Sequence, residues 1–318
     1  MTVSAPNHDL ALIRVNVFPG GFNWGLYVGI DQGFFAREGL RIEVQHTPNS
    51  VAQMTDMAAG KFEIAMTGVD NIVAYAEGQG EAPIGAQPEF FAFMGSDSAF
   101  LSLVSGPDIK EISALRGKQL LVDAMTTGYA FVLYEILRRA GLPAETYNVA
   151  RAGGMIERWT RLRAGEGDGT LLSAPYNLIA KAHGLNELAR AVEILGPYQG
   201  NVGAARRSWA SANEQKVIGY IRAYRDAIDW LYVPQNRSEA IAILRRNLPQ
   251  MAEDVAIASY DELLHPKFGF YRGGEIDEAG LACVLALRSR YGKPQMTLND
   301  PNKYIDLRFL EASRRTNA

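Results

Sequence analysis

The chain has 318 residues, a formal net charge of −3 and a hydrophobic fraction of 47%. This length exceeds one ordinary hydrophobic core and suits two lobes, and the composition is typical of globular rather than disordered proteins. The slightly acidic balance argues against nucleic-acid binding. The single cysteine, Cys283, excludes an internal disulfide and a Cys/His metal motif, so we predict a core cysteine and no metal site. We also predict that the protein has no cofactor.

The first ten residues, MTVSAPNHDL, contain no basic head, no apolar run and no small-residue cleavage site. Those are the features of a secretory signal. As written, the sequence therefore predicts a cytoplasmic protein, and a periplasmic location requires that an export sequence was removed and replaced by Met1. No apolar run of about 20 residues occurs elsewhere, so we predict that nothing spans a membrane.

The first predicted strand is Leu12–Val17, followed by the glycine-rich loop Phe18–Gly25 and a helix over Leu26–Arg37. Glycines in this loop allow the backbone to approach a ligand closely. Phe22 and Trp24 are large apolar groups in the loop, and a flat ligand could stack on them. The alternative is that both side chains pack within their own lobe.

The second predicted strand, Arg41–Gln45, leads into a helix over Val51–Ala59. Asn49 and Ser50 lie immediately before that helix. Either residue is a good helix cap. The same groups could instead receive a ligand at the helix N-terminus, where free N–H groups favour an anion.

A third predicted strand, Phe62–Met66, ends in a small-residue loop that opens another helix. Thr67, Asp70 and Asn71 lie in this loop and are predicted to form the first half of a ligand pocket. Asp70 is either a helix cap or a partner for an amine or a heteroaromatic N–H group of the ligand.

The same order of elements returns about a hundred residues later. Ala59-Gly60 and the loop after it correspond to Ala164-Gly165 and its loop. The second copy consists of the strand Gln119–Val122, the helix Ala130–Ala140, the strand Tyr147–Val149 and the helix Met155–Ala164. Two similar α/β lobes with such loops at their strand ends indicate a ligand cleft between the lobes.

The strand-end loops of the second copy supply the other predicted half of the pocket. Thr126 and Thr127 lie where a strand passes into a helix, so they either contact the ligand or cap the helix. Arg151 could bind a carboxylate or remain in solvent. Ser173 and Tyr176 close the pocket, and Tyr176 can both stack and form a hydrogen bond. The arginines of the intervening helix are predicted to form an exposed face: Arg158, Arg161 and Arg163.

We predict that the chain crosses between the lobes twice, which places residues 1–95 and 200–318 in one lobe and 96–199 in the other. Before each crossing we predict a strand: Ile84–Met94, broken at Pro88, and Ala191–Leu195. The first lobe is then completed by helices, beginning with a long amphipathic one over Asn213–Tyr232.

Four segments resemble the two-lobed (type II) substrate-binding proteins of ABC importers, in the branch that takes nitrate, sulfonates and thiamine pyrimidine precursors. These segments are GLYVGIDQGFFAREGL (25–40), AGKFEIA (59–65), LRGK (115–118) and YIDLRFL (304–310). The resemblance implies an α/β fold of two lobes, each a mixed sheet flanked by helices, that closes on a small molecule. It places seven residues in or near the cleft: Trp24, Asn49, Thr67, Asp70, Thr126, Thr127 and Tyr176.

The function implied by this resemblance is the binding of a small organic molecule for ABC-type import, by a monomer whose partner is a membrane permease if the protein is exported. The cleft loops suit a planar, neutral or weakly charged ligand that can carry one carboxylate. One alternative is a cytoplasmic enzyme on the same scaffold, a decarboxylase, hydrolase or pyrimidine synthase, with His46 and Asp70 as an acid–base pair. The cysteine-rich motif of the synthase is missing here. A cytoplasmic ligand sensor is the third hypothesis.

Overall fold

The computed structural model describes residues 10–85 and 89–314. Within these residues the chain forms ten strands: β1 (Ala11–Val17), β2 (Leu40–His46), β3 (Ile64–Gly68), β4 (Phe90–Gly95), β5 (Ser102–Ser105), β6 (Gln119–Val122), β7 (Asn148–Arg151), β8 (Gly169–Leu172), β9 (Asn186–Arg190) and β10 (Asn201–Arg206). The first strand shows the expected pattern, because Ile13, Val15 and Val17 are buried while Arg14 between them pairs with Glu63.

The α-helices of the described chain connect and cover these strands. They are α1 (Trp24–Asp31), α2 (Phe34–Arg37), α3 (Ser50–Ala58), α4 (Val69–Ala76), α5 (Gly128–Arg139), α6 (Met155–Arg163), α7 (Tyr176–Ala182), α8 (Ala191–Leu195), α9 (Arg207–Ala212), α10 (Glu214–Leu231), α11 (Arg237–Asn247), α12 (Glu253–Leu263), α13 (Glu278–Tyr291) and α14 (Arg308–Ser313).

The strands form two sheets of five with the same plan. The first has the order β2-β1-β3-β10-β4, and the second has the order β7-β6-β8-β5-β9. In each sheet the first three strands of the order are parallel, and the fourth runs antiparallel to both of its neighbours. The architecture therefore consists of two mixed sheets, each flanked by helices, as predicted.

The chain passes from the first sheet to the second between β4 and β5, and returns between β9 and β10. We use "lobe 1" for residues 10–95 and 200–314 and "lobe 2" for residues 96–199, as predicted from the sequence. The division into two units that move relative to each other stays a prediction.

Two predicted elements differ from the structure. The helix expected over Leu26–Arg37 is divided into α1 and α2, because Gly33 adopts a left-handed conformation with φ of +71°. The strand expected over Ala191–Leu195 is the short helix α8, and the strand lies just before it, at β9. The predicted break at Pro88 falls outside the described residues.

Candidate functional site

A cavity lies between the strand-end loops of the two sheets. Lobe 1 contributes Phe18, Phe22, Ser50, Asp70, Asn71 and Asn201 to its lining. Lobe 2 contributes Asp123, Thr127, Tyr129, Met155, Arg158 and Ser173. The loops meet here because parallel strands of each sheet end at the same edge, where the following helices begin.

The cavity is small and partly apolar. The cavity volume is about 50 Å³. A single water needs about 10–15 Å³, so the cavity holds roughly four waters or a compact ligand of similar bulk. Phe18, Phe22 and Met155 supply apolar surface, so the walls suit a small organic molecule rather than a bare hydrated ion.

Four helices of eight or more residues begin around the cavity: α3, α4, α5 and α6. The first turn of a helix has unpaired N–H groups and a partial positive charge, which favour an oxygen acceptor nearby. Asn49 caps α3, since its Oδ1 accepts a hydrogen bond from the Ala52 amide at 2.8 Å. Asn49 is therefore a helix cap here, the alternative that the sequence left open.

Arg158 is the basic residue in the cavity wall, and the prediction that it lies on an exposed face was wrong. Only 4% of its surface is exposed. Its Nη1 donates to the carbonyl oxygen of Leu171 at 2.7 Å, and its Nε donates to that of Gly154 at 3.3 Å. Burial lowers the pKa of the guanidinium, and the nearby Asp123 carboxylate opposes that shift. Helical spacing was the available signal, since Met155, Arg158 and Leu162 share one face of α6.

Asp123 is a second cavity residue that the sequence did not single out. It follows β6, and its Oδ2 accepts hydrogen bonds from the Ser50 hydroxyl at 2.7 Å and the Ser50 amide at 3.4 Å. Its Oδ1 is buried and has no hydrogen-bond partner among the described residues. Tyr129 lies in the same wall, and burial raises the pKa of its phenol, which therefore stays protonated and able to donate.

Asp70 lines the cavity with its charge already paired. Arg288 donates from Nε to Oδ1 at 2.5 Å and from Nη2 to Oδ2 at 2.9 Å, and both side chains are almost completely buried. His46 is exposed at the end of β2 and forms no hydrogen bond with Asp70 in the described structure. The acid–base pair suggested for these two residues is not formed.

Six of the predicted ligand-binding residues line this cavity: Phe22, Ser50, Asp70, Asn71, Thr127 and Ser173. Asn71 also donates from Nδ2 to the hydroxyl of the fully buried Thr67 at 2.9 Å. Thr67 thus orients a cavity residue without lining the cavity itself.

Trp24 and Tyr176 are corrected from ligand contacts to packing residues. The Trp24 indole is fully buried, and its Nε1 donates to the Ala240 carbonyl oxygen at 3.0 Å. Tyr176 is 1% exposed, and its hydroxyl accepts from Nε2 of Gln250 at 3.0 Å. The polar end of each ring needs a partner when buried. Trp24 finds one in α11, and Tyr176 finds one in the turn between α11 and α12.

Thr126 and Arg151 lie beside the cavity, in a contact between the lobes. Glu81 of lobe 1 accepts hydrogen bonds from the Thr126 hydroxyl at 2.9 Å and the Thr126 amide at 3.1 Å, and it forms an ion pair with Arg151. Backbone hydrogen bonds also join the lobes beside the cavity, including those of Gly154 to Pro48 and Gly21 to Ala174, both at 3.1 Å between nitrogen and oxygen. The two lobes are therefore in direct contact beside the cavity.

The described residues contain no group of three or more His, Cys, Asp and Glu side chains placed to hold a metal ion. None of the helices in the described chain has both the length and the apolar character needed to cross a bilayer.

Solved structures with this fold include substrate-binding proteins. A protein from Bordetella bronchiseptica RB50 superposes with a TM-score of 0.79 and 17% identity, covering 96% of this chain and 97% of its own. The periplasmic nitrate-binding protein from Synechocystis PCC 6803 has a TM-score of 0.77 and 11% identity, covering 96% and 88%. The alkanesulfonate-binding protein from Xanthomonas axonopodis pv. citri, bound to MOPS, has a TM-score of 0.75 and 14% identity, covering 94% and 99%.

No curated protein matches the sequence significantly. The sequence pattern of one family, described as NMT1/THI5 like, matches residues 23–237, which is about two thirds of the chain. This match includes cavity residues from both lobes, but it begins after Phe18 and Phe22. The chain belongs to the NMT1/THI5-like family and has the type II periplasmic-binding-protein fold.

Proposed function

We propose that this protein is a substrate-binding protein of an ABC-type importer, which closes its two lobes on a small organic molecule. The observation that supports this most directly is the cavity itself, which is enclosed by polar and apolar side chains from both lobes. A ligand of the planar aromatic or heterocyclic class, or a sulfonate-like one, fits the mixture of Phe18 and Phe22 with hydroxyl and amide groups.

Closure on the ligand is a shift of population between open and closed states. A ligand stabilises the closed state only through contacts that the open state lacks. Ser50 and Asp123 illustrate such a contact, since they come from different lobes and meet at the cavity wall at 2.7 Å. A ligand that touches both walls adds its own contacts to those between the lobes.

The proposal also includes a cellular location and a protein partner. The closed form would be recognised by a membrane permease, and the protein would act as a monomer in the periplasm. Solved proteins of the same fold include periplasmic ones that bind nitrate and an alkanesulfonate.

The test is a thermal-shift screen of the purified protein against small aromatic acids, pyrimidines, sulfonates and amines, with each hit analysed by mass spectrometry after incubation. Binding to the folded state raises the melting temperature, because it stabilises that state by RT ln(1 + [L]/Kd). We expect a hit that raises Tm and remains chemically intact. A hit that is consumed would instead make the protein an enzyme on this scaffold.

A further inference from the structure

One oxygen of Asp123 has no hydrogen-bond partner among the described residues, and this bears on the chemistry of the ligand. Oδ1 is buried and without a hydrogen bond among the described residues, while Oδ2 of the same carboxylate is held by Ser50. A buried carboxylate oxygen without a donor is unfavourable, and such atoms are rare in folded proteins. Because Asp123 lines the cavity, a ligand with a hydrogen-bond donor can satisfy this oxygen.

Arg158 supplies the complementary group in the same wall. Two of its three nitrogens are fixed by the backbone carbonyl oxygens of Leu171 and Gly154, so the guanidinium is held in one orientation. Its Nη2 forms no hydrogen bond with the described residues. Arg158 lies in the first turn of α6, where an oxygen acceptor is favoured.

The charges around the cavity leave no excess cation for an anionic ligand. Asp70 and Arg288 form one pair, and the carboxylate of Asp123 balances the guanidinium of Arg158. Asp70 also occupies the N-terminus of α5, because a Cβ placed on Gly128 would lie only 2.3 Å from Cγ of Asp70. The end of α5 that would attract an anion is therefore already covered by the protein's own carboxylate.

We infer that the ligand is a small, net-neutral molecule that directs an N–H donor at Asp123 and an oxygen acceptor at Arg158. This inference rests on the proposed function of the cavity and narrows it. Two kinds of molecule have the required chemistry: a neutral heterocycle with adjacent N–H and C=O groups, and a zwitterion with an ammonium and a carboxylate group. A ligand with only a negative charge would be buried without a compensating cation.

Isothermal titration calorimetry with matched probes tests the inference. Uracil is compared with 1,3-dimethyluracil, which lacks the N–H donors, and β-alanine is compared with propionate and propylamine. Nitrate and propanesulfonate are the anionic probes. We expect the donor-and-acceptor member of one set to bind at least tenfold more tightly than its single-group analogues and than either anion. The set that shows this preference identifies the kind of molecule.

Asp123→Asn is expected to weaken the favoured probe at least tenfold and to abolish its preference over the analogue without a donor. Ser50→Ala is the matched control, because it removes one hydroxyl contact between the lobes and leaves the carboxylate in place. It should weaken all probes by a common factor and keep the preference. Asp108→Asn alters an exposed carboxylate in the turn after β5. It should change neither the affinity for the favoured probe nor the preference over the analogue without a donor.

Three outcomes would overturn the inference, and they differ in whether the proposed binding function survives. If nitrate or propanesulfonate binds and the neutral probes do not, the binding function stands and the assignment of ligand chemistry falls. If no probe of any class binds, the proposed function falls and the inference with it. Equal affinities for uracil and dimethyluracil, together with equal affinities for β-alanine and propionate, would also contradict a donor directed at Asp123.

Discussion

Trp24 lies in the first turn of α1, with its indole enclosed by protein and its Nε1 bound to the carbonyl oxygen of Ala240. Tyr260 packs edge-on against it, with ring centroids 5.7 Å apart. Phe22, two residues earlier, reaches the cavity and is 7% exposed. Two aromatic residues that are close in the sequence thus have different roles, and only Phe22 of the two is placed to touch a ligand.

Trp24→Ala is expected to lower the free energy of unfolding by about 3–5 kcal/mol, the usual cost of removing a large buried aromatic side chain. The affinity of the protein that remains folded should change little. Urea denaturation gives the first quantity, and calorimetry below the unfolding transition gives the second. Lost affinity with an unchanged unfolding energy would show that Trp24 contacts the ligand after all.

Glu135 on α5 makes stability depend on pH in the acid range. Its carboxylate accepts hydrogen bonds from Arg138, Arg139 and the Tyr291 hydroxyl, all at 2.8–2.9 Å. These donors, Arg138 foremost, lower the pKa of Glu135 to about 2. An unfolded glutamate has a pKa of about 4.3, so this contribution is complete above that pH and is lost as the pH falls toward 2.

Glu135→Gln should therefore lower the melting temperature at pH 7 and flatten its decline between about pH 4.5 and 2. Thermal melts of both proteins across that range measure the effect. Glu145→Gln is the matched control, since Glu145 is exposed and forms no ion pair in the described structure. If the melting temperature of the Glu135 variant falls with pH as steeply as that of the wild type, Glu135 is not a source of the acid sensitivity.

At the scale of elements, the cavity depends on how closely the N-terminus of α5 approaches α4 of the other lobe. Gly128 begins α5, and its lack of a side chain lets the Asp70 carboxylate lie against the helix end. Arg288 on α13 holds that carboxylate and also donates to the Thr126 carbonyl oxygen at 2.6 Å. The N-terminus of α5 in lobe 2 therefore meets α4 and α13 of lobe 1 at this point.

Gly128→Ala is expected to prevent this approach, because the new methyl group would lie 2.3 Å from Cγ of Asp70. Alanine favours the helix itself by about 0.5–1 kcal/mol, so each lobe should remain folded. The expected result is ligand affinity at least tenfold lower with circular dichroism unchanged. Gly106→Ala is the control, since no atom lies within 4 Å of the place its new methyl group would take, and affinity should not change.

The elements themselves were largely predictable, because their patterns are local. Buried strands such as β3 are recognisable by composition, and glycines mark the ends of helices. The burial of Arg158 was not predictable in the same way. One partner, Gly154, is a neighbour at the N-terminus of the same helix, but the other, Leu171 of β8, is brought to Arg158 by the fold. A charged residue on a helix is also usually solvated. The free oxygen of Asp123 also depends on the packing of two lobes.

At the scale of the whole molecule, the two connections between the sheets lie side by side. The Gly200 amide donates to the Asp97 carbonyl oxygen at 2.9 Å, and the Ser96 amide donates to that of Asn201 at 3.0 Å. Ala99 and Phe100 have φ values of +73° and +52°, a region that costs non-glycine residues about 1–3 kcal/mol. We propose that the lobes pivot about these two connections, the first of which contains the strained residues Ala99 and Phe100.

The repeated order of elements allowed the two sheets and the cleft between them to be predicted from the sequence alone. The degree of closure could not be predicted, because it depends on contacts such as those between Glu81 and Thr126, which are 45 residues apart in the chain. Those contacts stabilise the closed state even before a ligand adds its own, so the free protein should populate both states.

Small-angle X-ray scattering of the purified protein, with and without the tightest intact hit of the screen, tests closure of the lobes on a ligand most directly. We predict that the ligand lowers the radius of gyration as the open population is converted to the closed arrangement. Gly128→Ala should keep the larger radius under both conditions. Saturating ligand that leaves the radius unchanged in the wild-type protein, with Asp123→Asn binding as tightly as wild type, would contradict closure of the lobes around this cavity.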